Sequence, residues 1–210
     1  MTVIATPDDI ARLFAREGGY GFARWGGPIV PVVFGVEPAS LGVIKGAIEA
    51  VVALAGHRMA DADVELGANL MVFFCRDWDE LTAVPNLDRL IEGLPEIVAR
   101  LQARDANQYR MFRFGPTGGI RAAFVFLRMD VALAGVPAEV LALDQAVRVI
   151  LLWSEAALAQ GVLMQGEGQA VLRPDLAAVI RAAYDPVLPD ATRDPAHALR
   201  LFARALRGAG

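Results

Sequence analysis

The chain has 210 residues, of which 55% are hydrophobic and 21% charged, and its formal net charge is -4. A chain of this length and composition can bury enough apolar surface to fold, which excludes a disordered or fibrous protein. The acidic balance leaves no basic field to hold a nucleic acid or an anionic membrane, so neither is an expected partner.

The sequence predicts neither a membrane span nor a secretory signal. Its longest uncharged stretch, Trp25 to Val36, contains two prolines and is shorter than the roughly 20 apolar residues that a spanning helix needs. The N-terminus lacks the basic and apolar regions of a signal peptide. We therefore expect a cytoplasmic protein, with the cell envelope as the alternative if a leader segment precedes this chain. The single cysteine, Cys75, is compatible with a reducing compartment.

The first part of the chain alternates predicted helices and strands. Thr6, followed by Pro7 and Asp9, is typical of a capped helix start. We expect this first helix to run to about Glu17 and to end at the glycines that follow. The next predicted elements are an edge strand over 24–35, a helix over 38–55, and a strand over 70–74 that the polar and apolar alternation of 61–66 leads into.

The rest of the chain is predicted to hold one hairpin and several helices. The elements are a short helix over 77–81, a helix over 87–104 broken at Pro95, a hairpin over 109–129 turning at Gly115–Gly119, a buried helix over 136–159, a helix over 173–184, and a final helix capped by Asp194. In the final helix we expect Leu199, Phe202 and Leu206 to face inward. The order of elements predicts one α+β domain, 1–210, with a mixed or antiparallel sheet of four to five strands packed by helices.

Several short motifs resemble those of a known family. They are the strand RWGGPIVPVVFG, the strand VELGANLMVFF with Asn69, the strand GGIRAAFVFL, and the C-terminal LRPDLAAVIRAAYDPVL with Pro174, Asp175 and Tyr184-Asp185-Pro186. Over about residues 24–206, after the lead-in 1–23, the chain resembles an uncharacterised bacterial family of domains of unknown function whose layout is similar to zincin metallopeptidases. The resemblance implies a zincin-like fold. The helix that carries Glu-Glu-Leu-x-Gln in that family reads LDQAVRVILLW here, and zincins use His-Glu-x-x-His at that place.

The histidines argue against zinc chemistry. A zincin site needs two imidazoles one helical turn apart with a carboxylate between them, and this chain has 2 histidines, His57 and His197, far apart in sequence. We interpret both as ordinary surface or turn residues and predict no metal and no cofactor. Cys75 ends an apolar strand and is interpreted as a buried, inert thiol.

One polar stripe in the predicted buried helix is a candidate binding site. Asp144, Arg148 and Glu155 lie within about 40° of one another at 100° per residue. In a zincin the matching stripe carries the metal ligands, so we hypothesise that an Asp144–Arg148 ion pair takes that place in a domain without catalysis. The alternative is that the stripe faces solvent.

Three functions are compatible with these patterns. The first is a non-catalytic domain that binds a protein or peptide partner, by strand addition to an exposed edge such as Gly119 to Met129. The second, compatible with the first, is a homo-oligomer that hides part of the apolar surplus. The third is a metal-independent enzyme or small-ligand binder, because arginine-rich pockets can bind carboxylates or phosphates.

Overall fold

The computed structural model describes residues 4–61, 67–154, 156–166 and 168–207. In chain order the helices are α1 (Pro7–Leu13), α2 (Pro38–Leu54), α3 (Asp79–Thr82), α4 (Leu87–Leu90), α5 (Leu94–Ala103), α6 (Val131–Ala134), α7 (Ala138–Ile150), α8 (Pro174–Ala183) and α9 (Ala196–Arg207), with a 3-10 turn at Ala156–Leu158. The strands are β1 (Ala15–Arg16), β2 (Gly19–Tyr20), β3 (Phe22–Ala23), β4 (Pro31–Phe34), β5 (Leu70–Cys75), β6 (Gln108–Phe114), β7 (Ile120–Arg128), β8 (Leu163–Gln165), β9 (Ala170–Leu172) and β10 (Ala191–Thr192).

A four-stranded mixed sheet organises the chain, in the order β4-β5-β7-β6. Strands β4, β5 and β7 are parallel to one another, and β6 is antiparallel to β7 because a tight hairpin joins the two. This confirms the predicted α+β class and the predicted mixed sheet. The expected edge position of the first of these strands is also confirmed, since β4 lies at one end of the sheet.

The predicted exposed edge over Gly119 to Met129 is wrong. Strand β7 lies between β5 and β6, so both of its sides are hydrogen-bonded. Its nearly continuous buried run, from Ala123 to Leu127, is typical of an interior strand covered on both faces. The hairpin pattern identified β6 as one neighbour, but the second neighbour comes from a distant part of the chain. The other end of the sheet is β6.

Helices cover both faces of the sheet. On one face, α2 packs against α7, and the large core around them includes Trp25, Leu70 and Ile150. On the other face, α3, α4 and α5 cover a smaller core that contains Trp78 and Ile91. No helix in the described part of the chain has both the length and the apolar character needed to cross a membrane.

Two of the motifs quoted above join elements together. The amide of Asn69 accepts a hydrogen bond from Val30 N–H at 2.7 Å and donates to the Pro28 carbonyl at 2.9 Å, which ties the approach to β4 to β5. The Tyr184 hydroxyl donates to the Ile150 carbonyl at the end of α7, at 2.8 Å. These contacts place the motif residues in the connections between elements.

Several predicted boundaries are wrong. Helix α1 ends at Leu13 and not near Glu17, because the next residues form the small hairpin β1–β2. The predicted strand over 24–35 is regular only in β4 and has isolated bridges before it. The predicted break at Pro95 is confirmed, since α4 and α5 are separate. The lead-in over 62–66 falls outside the described residues.

The predicted end of α7 and the predicted inward face of α9 are also wrong. Helix α7 ends at Ile150 and not near 159, because Leu152 N–H leaves the helix to bond the Ala23 carbonyl at 2.9 Å. In α9, Leu199 and Leu206 are 59% and 57% exposed, so their predicted inward orientation is wrong. The helix instead buries His197, Ala198, Leu201 and Ala205. Small side chains let this face approach α1 and α8 closely.

Candidate functional site

A pocket of about 360 Å³ lies between β6, the C-terminal end of α7 and the segment that follows α7. Its lining combines guanidinium groups with amide, aromatic and aliphatic side chains. The lining residues are Arg16, Gln108, Tyr109, Arg110, Phe112, Arg148, Leu152, Trp153, Ser154 and Leu158. Three of these are arginines that belong to three different elements, β1, β6 and α7.

Arg110 is partly buried and donates its hydrogen bonds to neutral side chains. Its Nη2 donates to Gln108 Oε1 at 2.6 Å and to Gln145 Oε1 at 3.1 Å, while its buried Nε has no hydrogen-bond partner. Among the described residues, no carboxylate lies within ion-pair distance of this guanidinium. Burial and the positive charge of Arg148 lower the pKa of Arg110 to about 10. Burying a guanidinium without an ion-pair partner is unfavourable, so an anion beside it would stabilise its charge.

Arg148 supplies the second cation, and the predicted ion pair with Asp144 is present. Arg148 Nε lies 2.7 Å from Asp144 Oδ2, one helical turn away, and the two side chains are 21% and 20% exposed. Asp144 also accepts a hydrogen bond from Gln145 Nε2 at 2.9 Å. Arg148 lines the pocket, and both side chains of the pair are partly buried.

The third member of the predicted stripe is Glu155. Glu155 falls outside the described residues, and α7, which was expected to carry it, ends at Ile150. The predicted site thus retains Asp144 and Arg148. Their neighbours in space are Arg110 and Arg16, which sequence reasoning did not single out.

Arg16 lines the pocket beside the chain that leaves α7. It lies in the hairpin β1–β2, and its Nη2 donates to the backbone carbonyls of Leu152, at 2.7 Å, and Trp153. These bonds hold the guanidinium beside the chain that leaves α7. Nothing in the sequence places Arg16 near Arg148. For Arg110 a signal exists, because Gln108 and Arg110 share one side of β6 whose other side carries Tyr109 and Met111.

The electrostatics of the pocket differ from those of the whole chain. Its described lining carries three arginines, and Asp144 is the carboxylate that contacts one of them. The chain as a whole has a formal net charge of -4. The charge of the described lining is therefore opposite in sign to that of the whole chain.

The Ser154 hydroxyl is held by the backbone. Ser154 Oγ donates to the Arg12 carbonyl at 2.9 Å and accepts from Ala157 N–H at 3.0 Å. Ser154 therefore caps the 3-10 turn that follows it.

The two histidines lie elsewhere, and one prediction about them is wrong. His197 is 1% exposed, so it is a core residue and not a surface one. Its Nδ1 lies 2.8 Å from the Tyr20 hydroxyl, and its buried Nε2 has no hydrogen-bond partner. His57 Nε2 lies 2.8 Å from the Gly27 carbonyl. Across the described ranges, no group of three or more His, Cys, Asp or Glu side chains could hold a metal ion.

Cys75 is buried, as predicted, with 5% exposure. Burial, together with the charges of Glu80 and Asp77, raises the pKa of its thiol to about 11. The thiolate form that reacts with electrophiles is therefore scarce near neutral pH. Cys75 contributes to the core between the sheet and α3–α5.

Comparisons of this chain with protein-family models, with curated proteins and with solved structures found no match.

Proposed function

We propose that the protein binds a small organic anion in the pocket lined by Arg16, Arg110 and Arg148, which we name the arginine pocket. The observation that carries the proposal is Arg110: a partly buried guanidinium with neutral hydrogen-bond partners, beside a second arginine. A carboxylate or phosphate placed between Arg110 and Arg148 would supply the missing negative charge and accept charge-assisted hydrogen bonds.

The rest of the pocket supports an anion that carries an apolar body. Phe112, Leu152 and Leu158 line the same cavity as the arginines. Apolar surface buried against them adds affinity of roughly 25 cal/mol per Å². An aromatic or branched carboxylate, or a phosphate monoester of such a group, fits both parts of the lining.

We also propose a non-catalytic, zincin-like role, which rests on the motif resemblance alone. A protein or peptide partner is proposed as well, and it needs a strand edge other than β7. A second copy of the chain is a further proposed partner, and the mass of the protein in solution tests it.

The test is a calorimetric titration of the purified protein with benzoate and with phenyl phosphate. We expect saturable binding that weakens as salt is added, because the interaction is between charges. In Arg110→Met and in Arg148→Met, we expect the affinity to fall by about tenfold or more, since each change removes a charge-assisted hydrogen bond.

The matched control is Arg200→Met. Arg200 is an arginine of α9 that pairs with Asp194 at 3.4 Å and is 55% exposed, so its removal changes the net charge equally and leaves the pocket intact. Thermal melts of every variant report whether the fold is retained. Absence of saturable binding of both probes, or equal losses in Arg148→Met and Arg200→Met, would overturn the proposal.

A further inference from the structure

A second and larger cavity, of about 640 Å³, adjoins the arginine pocket. Both cavities are lined by Arg16 and Leu152, so they meet at these two residues. The larger one extends to Phe114 at the end of β6 and is walled on the opposite side by the glycine-rich hairpin β1–β2. Together they form a groove, named here the β6 groove, that follows β6 from Gln108 to Phe114.

The groove runs along a strand edge that no described strand pairs with. Strand β6 is last in the sheet order. The cavity is lined by Gln108, Arg110 and Phe112 from one face of β6 and by Tyr109 from the other face, so it reaches the strand edge between the two faces.

The backbone of this edge has hydrogen-bonding groups directed away from the sheet. Arg128 N–H donates to the Asn107 carbonyl at 2.9 Å, so Asn107 belongs to a hydrogen-bonded pair of the antiparallel ladder. Bonded and non-bonded pairs alternate. The N–H and C=O groups of Gln108, Arg110 and Phe112 therefore point away from β7.

We propose that the natural ligand of the arginine pocket is an extended peptide with a free C-terminal carboxylate, which adds to the edge of β6. This inference rests on the anion-binding function proposed above. The carboxylate would lie between Arg110 and Arg148, and the preceding residues would follow β6 toward Phe114. The added strand would therefore run antiparallel to β6.

Charge and shape both favour this occupant. The cations Arg110 and Arg148 lie together at one end of the groove, where they match the terminal carboxylate of a peptide, whereas the far cavity is lined by charges of both signs, Glu17 and Arg193. From Arg110 to Phe114 the strand rises about 14 Å at about 3.4 Å per residue, enough for about four peptide residues.

The far end of the groove has both open space and apolar surface. A Cβ atom added at Gly18 or at Gly19 would meet nothing within 4 Å, so no other part of the described chain packs against these two positions of the hairpin. Phe114 is 47% exposed there. An apolar side chain three or four residues before the terminal carboxylate would cover it.

The experiment compares four probes by calorimetry: benzoate, the peptide acetyl-Val-Ser-Val-Ser-Leu with a free carboxylate, its C-terminal amide, and the free acid with alternate backbone amides N-methylated. We expect the free acid to bind at least about tenfold more tightly than benzoate, since backbone hydrogen bonds and apolar contacts add to the anion site. Amidation and N-methylation should each weaken binding by about tenfold or more.

A second readout follows amide hydrogen exchange by NMR. The free acid should slow exchange at Gln108, Arg110 and Phe112, and benzoate should leave exchange at Phe112 unchanged, because benzoate reaches only the anion site. If benzoate binds in an arginine-dependent way but the peptide binds no more tightly and protects none of these amides, the peptide inference fails and the anion site stands. If neither benzoate nor the peptide binds, both the peptide inference and the proposed anion site fail.

Discussion

The buried imidazole of His197 predicts how stability depends on pH. His197 is 1% exposed and packs against the ring of Phe22, with ring centroids 4.3 Å apart. Burial, reinforced by the positive charge of Arg200, lowers the pKa of His197 from 6.5 to about 4. The folded protein therefore holds this side chain neutral at pH 7.

The sign of the effect follows from proton uptake in the two states. Between pH 6.5 and 4 the unfolded chain binds a proton at His197 that the folded chain does not, so the contribution to stability is complete above pH 6.5 and is lost as the pH falls toward 4. The full loss is about 3 kcal/mol, and about 2 kcal/mol of it is lost at pH 5.

Urea unfolding at pH 8 and pH 5 measures this loss. We expect the free energy of unfolding of the natural protein to decrease by about 2 kcal/mol more than that of His197→Gln over this interval. The compared quantity is the change in the free energy of unfolding between the two pH values within each variant. A destabilisation that is the same at both pH values therefore cancels. The control is His57→Gln, which retains His197 and should keep the part of the decrease that His197 contributes; burial also lowers the pKa of His57, so the part that His57 contributes is lost in this variant. An equal decrease in the natural protein and in His197→Gln would refute a buried neutral imidazole.

Three further predictions concern the pocket, a glycine and the thiol. Asp144→Asn should raise the affinity for benzoate by a few-fold, because it removes the carboxylate that competes for Arg148; an unchanged affinity in the same titration would contradict this. Gly35→Ala should lower stability by about 2 kcal/mol or more, since its Cβ would lie 2.0 Å from the Phe74 carbonyl oxygen at a φ of +77°; Gly42→Ala, in open space within α2, is the stabilising control in thermal melts. Cys75 should react with iodoacetamide at pH 8 many times more slowly in the folded protein than in urea, and equal rates would show an accessible thiol.

Local patterns in the sequence predicted the elements that depend on neighbouring residues. The turn at Gly115–Gly119 predicted the hairpin β6–β7, and Pro95 predicted the break between α4 and α5. The spacing of Asp144 and Arg148 predicted their ion pair. Each of these depends on chemistry within a few residues, which a single sequence displays directly.

The features that bring distant segments together could not be predicted in the same way. Arg16 joins Arg148 in the pocket only because β1 lies beside the chain that leaves α7. The position of β7 inside the sheet depends on its pairing with β5, about 50 residues away in sequence. Helix α9 has two apolar faces. Packing against α1 and α8 buries the face that carries His197 and the alanines, and the local sequence does not show which face these helices cover.

The most direct test of the anion site observes the Arg110 guanidinium itself. In ¹⁵N-labelled protein, the Nε–H group of Arg110 is buried and has no hydrogen-bond partner, so an anion that binds beside it should move its NMR signal strongly. We predict a saturable shift of this signal on titration with benzoate, with the same dissociation constant as the calorimetric binding. A benzoate-saturated protein in which the Arg110 signal has not moved would contradict the account.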